Sequence, residues 1–405
     1  MNDIFKGGKK LAEGGYGCVF HPEINCQGLE TDNMQYVSKI QQKDFSAENE
    51  IKVGEIIKKG VENMPGKPLI NNFAPVLSSC PISMSQLKIP DIGECRVLHK
   101  IDQSNMVLLK IRFIDSTDFD SYIIENKNTS AILLTLISAF NHLLKSLKIL
   151  EKVKVVQFDL KGQNIVFDTK KLQPIIIDFG LSLPMENVNN ETLLNYFYIY
   201  APEYYVWPLE VHYLNLLLHI NPEPSRDEIK DLVNAYVKSN SALDGFSIAF
   251  KKDFSTACED QLMYYNQMPL TDRKNYILRF WNTWDNYSLS IIYIKFIYFI
   301  IRSNDKSIFK NGFVRYFTEL LLINIHPDPT RRMTLENTLE QFNKYLYNNP
   351  IDKADSFQDL TESFLKNKKS VNKELKMNSR RIKTLTEKTI RANRLPRTER
   401  RSENR

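Results

Sequence analysis

In the stretch VVQFDLKGQNIVFD, residues 155–168, an aspartate, a lysine and an asparagine stand in a polar turn between two apolar runs. A carboxylate at Asp159 could orient a hydroxyl group and accept its proton. Lys161 could stabilise charge on a moving phosphoryl group. The amide oxygen of Asn164 suits Mg2+, a hard cation that takes oxygen ligands. Further on, Asp178 ends the apolar run of LQPIIIDFG. A carboxylate there is costly unless it is paired or metal-bound, so a second Mg2+ ligand is expected at this position.

Upstream, LAEGGYGCVF sets Gly14, Gly15 and Gly17 between Leu11 and Val19. Glycines let backbone N–H groups approach a phosphate closely. Alone, a simple tight turn explains them equally well. The strand-like VSKI carries Lys39, and the helix expected after it carries Glu48, Glu50 and Glu55. An inward-pointing lysine held by one of these carboxylates could meet a phosphate.

These residues need elements to position them. Residues 9–40 read as strand, glycine turn, strand, and a further strand ending at YVSKI. FSAENEIKVGEIIKK reads as a helix with Ser46 as its N-cap. Residues 60–105 are irregular with β-like pieces such as CRVLHKI, and NMVLLKIRFI is a buried strand. TSAILLTLISAFNHLLKSLKIL has apolar residues at helical spacing. A strand-rich first third followed by helices predicts an α+β chain of two lobes, joined near residues 110–120.

The bulk composition fits this. Of 405 residues, 42% are apolar and 25% charged, as in soluble globular proteins. Five cysteines, at 18, 26, 80, 95 and 258, show no C-x-x-C spacing. Neither a zinc site nor a disulfide framework is expected, and a reducing, intracellular compartment is. The N-terminus has no apolar run of signal-peptide length. The run from Ser288 to Ile301 is too short to span a bilayer and reads as a buried helix. Residues 366–405 hold 15 of the 54 Lys and Arg but 4 of the 48 Asp and Glu. This basic tail reads as disordered or a frayed helix, open to an anionic partner such as nucleic acid, acidic protein or a membrane surface.

Taken in order, the glycine-rich turn, the strand lysine, DLKGQN and DFG resemble the protein-kinase signature set. YAPEYY, WDNYSLSI and HPDPTRRMT extend the resemblance, which covers residues 5–350. It implies a small β-rich lobe over residues 5–112 and a large helical lobe over 113–350. The implied nucleotide site runs through Leu11, Ala12, Glu13, Gly14, Gly15, Tyr16, Gly17, Cys18 and Val19, with Lys39 on the α- and β-phosphates. Glu50 is favoured as the partner of Lys39. Asp159 would be the base, Lys161 its neighbour at the γ-phosphate, and Asn164 and Asp178 the Mg2+ ligands. The implied activity is ATP-dependent phosphorylation of protein serine or threonine, with Arg332 paired to Glu203 of A-P-E.

The chain departs from the pattern in places. Ala12 replaces the first loop glycine. Gln157 and Phe158 stand where the resemblance expects His and Arg, and that arginine would receive an activation-loop phosphate. Activity independent of such phosphorylation is therefore expected. Tyr196 stands where serine/threonine kinases often carry Thr, with Thr192 displaced from it. Residues 206–280 read as a helical insertion. These departures and the Asn, Ile, Lys and Tyr richness resemble the divergent kinases of large DNA viruses, which would place the protein in host cytoplasm or virion. Two rivals remain: a pseudokinase-like binding module, and a small-molecule phosphotransferase on the same fold.

Overall fold

The computed structural model describes residues 8–126, 129–301, 311–349 and 355–394. Lys9–Glu13 (β1), Gly17–His21 (β2), Tyr36–Gln42 (β3), Val76–Ile82 (β4) and Met106–Arg112 (β5) form one antiparallel sheet in the order β1-β2-β3-β5-β4. Strand alternation divides its side chains between two faces. Cys18, Phe20, Ile40 and Leu108 enter an outer apolar cluster, and Gly17, Val19, Val37 and Lys39 face a cleft. Gly17 is required by close approach: a Cβ there would meet the carbonyl oxygen of Ile40 at 2.0 Å.

Phe45–Val61 (α1) lies beside the sheet. Its N-cap is Asp44, whose carboxylate accepts from the Ala47 amide at 3.1 Å, and not the expected Ser46. Asp44 has the extended backbone a cap needs, whereas Ser46 is already inside the first turn. Its hydroxyl instead donates to the Gly180 carbonyl at 3.3 Å.

A short helix, Pro68–Asn72 (α2), leads into β4. The segment CRVLHKI is not a strand but contains a tight turn at Leu98–Lys100. It folds over the outer face of the sheet and carries a second correction. Cys18 bonds Cys95 and Cys26 bonds Cys80, with Cα separations of 6.1 and 6.0 Å. Among the described residues only Cys258 is free. Two bonded pairs sit poorly with the expected reducing compartment. The pairs span 77 and 54 residues, so their proximity is a product of sheet register and of no local spacing.

The large lobe begins with Ser116–Asp118 (β6), Phe119–Glu125 (α3) and Thr129–Lys152 (α4). Val155–Val156 (β7), Ile165–Asp168 (β8), Pro174–Ile176 (β9) and Leu183–Pro184 (β10) form two small antiparallel sheets, β10-β7 and β6-β8-β9. The helices Leu193–Tyr196 (α5), Leu209–His219 (α6), Arg226–Ser239 (α7), Ile248–Asn266 (α8) and Leu270–Leu278 (α9) follow. Trp284–Ile301 (α10), Gly312–Asn324 (α11), Leu335–Asn348 (α12) and Asp355–Arg394 (α13) complete the chain. The α4 helix is long and apolar enough to cross a membrane. Here its residues Ile132, Leu136, Phe140 and Leu143 are wholly buried in the lobe core. The ring of Phe140 meets Tyr293, Phe317 and Phe342 with centroids 4.8–4.9 Å apart.

The expected pairing of Arg332 with Glu203 does not form. Arg332 binds Glu210 bidentately, at 2.6 and 2.8 Å, with both side chains almost fully buried. Trp284 Nε1 donates to Glu210 as well, at 3.0 Å, and Arg332 Nε donates to the His326 carbonyl at 2.8 Å. Glu203 is half-buried and makes no ion pair among the described residues. The literal A-P-E string thus lies one short loop ahead of the glutamate that carries the structural role.

The tail is a second departure. Residues 366–394 belong to α13, and residues 395–405 lie outside the described ones. A narrow apolar stripe, Leu360, Phe364, Val371, Leu375 and Ile382, is buried against the large lobe. It repeats at spacings of four and seven, which keeps one face of the helix inward. Lys366, Lys369, Lys373, Lys376, Arg380 and Arg381 remain exposed.

Two outcomes test this description. Breaking a buried ion pair by removing one partner costs about 3–5 kcal/mol. Glu210→Gln or Arg332→Met is expected to lower the urea-unfolding free energy on that scale, while Glu203→Gln stays within about 0.5 kcal/mol of the parent. Thiol titration of the denatured, unreduced chain is expected to find Cys258 alone reactive; free thiol at Cys18 or Cys80 would contradict the pairing.

Candidate active site

The cleft between the lobes has a volume of about 470 Å³. That is ample for a ligand of nucleotide size. Leu11, Ala12, Glu13, Gly14, Gly15, Tyr16, Gly17 and Val19 line its upper side, with Lys39 and Glu50 behind them. Asp159, Lys161, Asn164 and Asp178 line the lower side. Of the sequence candidates, Cys18 alone points elsewhere, because strand alternation turns it to the outer face and into its bond with Cys95. Apolar walls come from Leu11, Val19, Val37, Ala74, Ile111, Val166 and Ile177.

Lys39 holds the two lobes to one another. Its ammonium donates to Glu50 at 2.8 Å and to Asp178 at 3.3 Å. Burial pulls its pKa down, but Asp178 and Glu50 outweigh that and hold it well above the ordinary lysine value. Burial likewise tends to raise Asp178, yet Lys39 and then Lys161 carry it below the usual carboxylate value. Burial raises Glu50 beyond what Lys39 offsets. The other two candidate glutamates, Glu48 and Glu55, are exposed. The α1 helix is anchored to the segment after Asp178, since Asn49 Nδ2 donates to the carbonyls of Gly180 at 3.2 Å and Ser182 at 2.7 Å.

On the lower side, Lys161 Nζ donates to Asp159 Oδ2 at 2.7 Å. Asn164 Nδ2 donates to the same oxygen and to the Asp159 carbonyl, both at 2.9 Å. Because the Asn164 amide nitrogen is spent on Asp159, its oxygen is the atom left to face a cation. Asp178 keeps 39% of its side chain exposed towards the cleft. Among the described residues no group of three or more His, Cys, Asp or Glu could enclose a metal. Two oxygens from Asp178 and Asn164 fit Mg2+, which retains waters and takes its remaining ligands from substrate phosphates.

The turn that carries Asp159 is fixed from below. Asp285 accepts from the backbone amides of Gln157 at 2.7 Å and Phe158 at 3.0 Å. Burial lifts its pKa to about 6, against the pull of those two amides. Phe158 has φ of +66° and Asp178 of +59°, conformations that non-glycine residues adopt at a cost. The Gln157 side chain bridges Asp178 and Asp159, the residue after Phe158. Its Nε2 donates to the Asp178 carbonyl at 3.1 Å, and its Oε1 accepts from the Asp159 amide at 2.8 Å.

Phe158 fills an aromatic cluster. Its ring stacks on Trp207 at 4.9 Å and 21°, with Phe197 and Trp284 at 5.7 and 5.9 Å. Trp207 Nε1 donates to the Phe158 carbonyl at 2.8 Å. The segment leading to Glu210 is therefore held to the Asp159 turn by ring contact and a neutral hydrogen bond.

Tyr204 escaped the sequence reading. Its hydroxyl donates to Asp159 Oδ1. Burial and then Asp159 raise its pKa well above the ordinary tyrosine value, so it remains a donor. Tyr196 is singled out only when Glu203 is taken as the glutamate of the A-P-E segment, seven residues after it. The same offset taken back from Glu210 falls on Glu203, the neighbour of Tyr204. The ring of Tyr196 instead meets Phe45 of α1 at 5.3 Å.

No protein-family model and no curated protein matches the sequence. Among solved structures, the chain is similar to the autoinhibited serine kinase domain of the giant muscle protein titin. The identity is 13% and the TM-score 0.44, covering 89% of this chain and 87% of that one. A likeness of that size carries no argument about chemistry. The fold is α+β, a five-stranded antiparallel sheet lobe followed by a helical lobe.

A buried amide left without its acceptor costs about 1–3 kcal/mol. Asp285→Ala strips two of them and is expected to lower the unfolding free energy by about 2–6 kcal/mol in urea denaturation. A loss below about 1 kcal/mol would show that the clamp under the Asp159 turn is not structural.

Proposed function

We propose that this chain is a protein kinase that moves the γ-phosphoryl group of Mg·ATP to serine or threonine hydroxyls. The observation that carries the reading is the Lys39 ammonium shared by Glu50 and Asp178 across the cleft from Asp159. A binding module has no need of an interlobe cation placed beside a two-oxygen metal position. The domain is assigned to residues 5–350, with α6, α7, α8 and α9 inside the span 206–280 read as an insertion.

In this reading the backbone of Gly14–Gly17 covers the phosphates, and Lys39 neutralises their charge. Asp178 and Asn164 hold Mg2+, which when bound offsets charge on the phosphate oxygens. Asp159 orients the acceptor hydroxyl and takes its proton, with Lys161 and Tyr204 fixing the carboxylate. The aromatic contacts of Phe158 supply the order that a phosphate on the activation segment would otherwise bring. Activity is accordingly independent of phosphorylation between Ser182 and Tyr200. The buried pair of Glu210 and Arg332 supports a formed platform for a protein acceptor over a small-molecule one. The exposed lysines and arginines of α13 fit an acidic partner.

The test is incorporation of labelled phosphate from Mg·ATP into generic protein acceptors and into the chain itself. Loss of a general base costs about 10²–10⁴-fold, so Asp159→Asn is expected to fall by at least about 100-fold. Equal incorporation by parent and variant would sink the mechanism. Tyr204→Phe loses a hydrogen bond to a charged group, worth about 10–100-fold in kcat. Thr192→Ala is expected to be neutral, and strong activation by phosphate on residues 182–200 would overturn the regulatory part.

A further inference from the structure

The α13 helix does more than cover the large lobe. Its apolar stripe seats it against α3, α4 and α10. Polar contacts then continue along the same face. Tyr205 donates to Asn378 Oδ1 at 2.8 Å, and Gln163 Nε2 donates to Ser379 Oγ at 2.9 Å. One turn beyond Ile382 the same face presents Thr386, whose Oγ1 accepts from Lys161 Nζ at 3.0 Å. Ser379, Lys383, Thr386 and Glu387 thereby become part of the cleft wall.

The position of Thr386 is specific. Lys161 binds its hydroxyl and the Asp159 carboxylate with one ammonium. Tyr204, which donates to the other Asp159 oxygen, neighbours the same hydroxyl. An alcohol is thus held among the base, its lysine and its tyrosine, where an acceptor would have to sit. Thr384, two residues earlier, is exposed and donates to the Arg380 carbonyl of its own helix. The same helix therefore supplies a built-in control.

We propose that Thr386 is an internal phosphoacceptor, delivered by α13 and modified in cis. The inference rests on the kinase reading above. The bond between the γ-phosphorus and the oxygen bridging to the β-phosphate breaks, and a bond from that phosphorus to Thr386 Oγ1 forms. ADP leaves with the bridging electrons, and the hydroxyl proton passes to Asp159 and then to solvent. No redox partner is needed. The product places a dianion beside Asp159, which repels it and disfavours the seated helix. Until that happens, the helix denies Asp159 to an outside hydroxyl.

The full chain, treated with phosphatase and then given Mg·ATP, is the test. Peptide mass mapping is expected to find phosphate on Thr386 and none on Thr384, at a first-order rate unchanged on dilution of the protein. Thr386→Val should abolish that mark. Ile382→Asp unseats the helix and should slow the mark while raising transfer to added casein; its melting curve shows whether it is folded. Transfer to casein by the parent with Thr386 unmodified overturns the internal acceptor and leaves the kinase reading standing. So does marking of Thr386 at a rate that scales with protein concentration. No transfer to any hydroxyl, by the parent or by a folded Ile382→Asp, overturns the kinase reading and this inference with it.

Discussion

The grip of Asp285 on the amides of Gln157 and Phe158 is the constraint on which the site depends. A buried carboxylate is expensive, and two backbone donors are what make this one tolerable. In return the carboxylate fixes a turn whose second residue has positive φ. That turn aims Asp159 into the cleft and leaves Lys161 and Asn164 to organise its oxygens. Gln157 carries the constraint sideways to Asp178, so both aspartates of the cleft share one rigid support.

Order is then passed outward by two different kinds of contact. Across the lobes it travels by charge, through Lys39 to Glu50 and Asp178. Within the large lobe it travels through rings, from Phe158 to Trp207, Phe197 and Trp284. Trp284 also donates to Glu210, so the aromatic cluster and the buried Glu210–Arg332 pair form one continuous support. The disulfides act on the far side of the sheet, tying the irregular segment around Cys95 to the strand that follows the glycine turn. Contacts made by packed rings and covalent bonds do not respond to a phosphate as an arginine receiver would.

What the sequence determined by itself was the local chemistry and the order of elements. Asp159, Lys161, Asn164, Asp178 and Lys39 stood out as candidates because polar side chains in a turn or an apolar strand are local signals, and the structure brings all five to the wall of one cleft. The two-lobed α+β layout was legible because alternation and helical periodicity are local signals. Tertiary structure alone decided which distant groups meet. Arg332 meets Glu210 and not Glu203, in a buried setting where Trp284 and Thr283 add hydrogen bonds to the pair. Cys18 met Cys95 because the register of β2 turned it outward. Composition suggested a disordered tail because it averages charge over all faces of the segment. A stripe of five apolar residues on one face was enough to seat it, and only the seated helix brings Thr386 to Lys161.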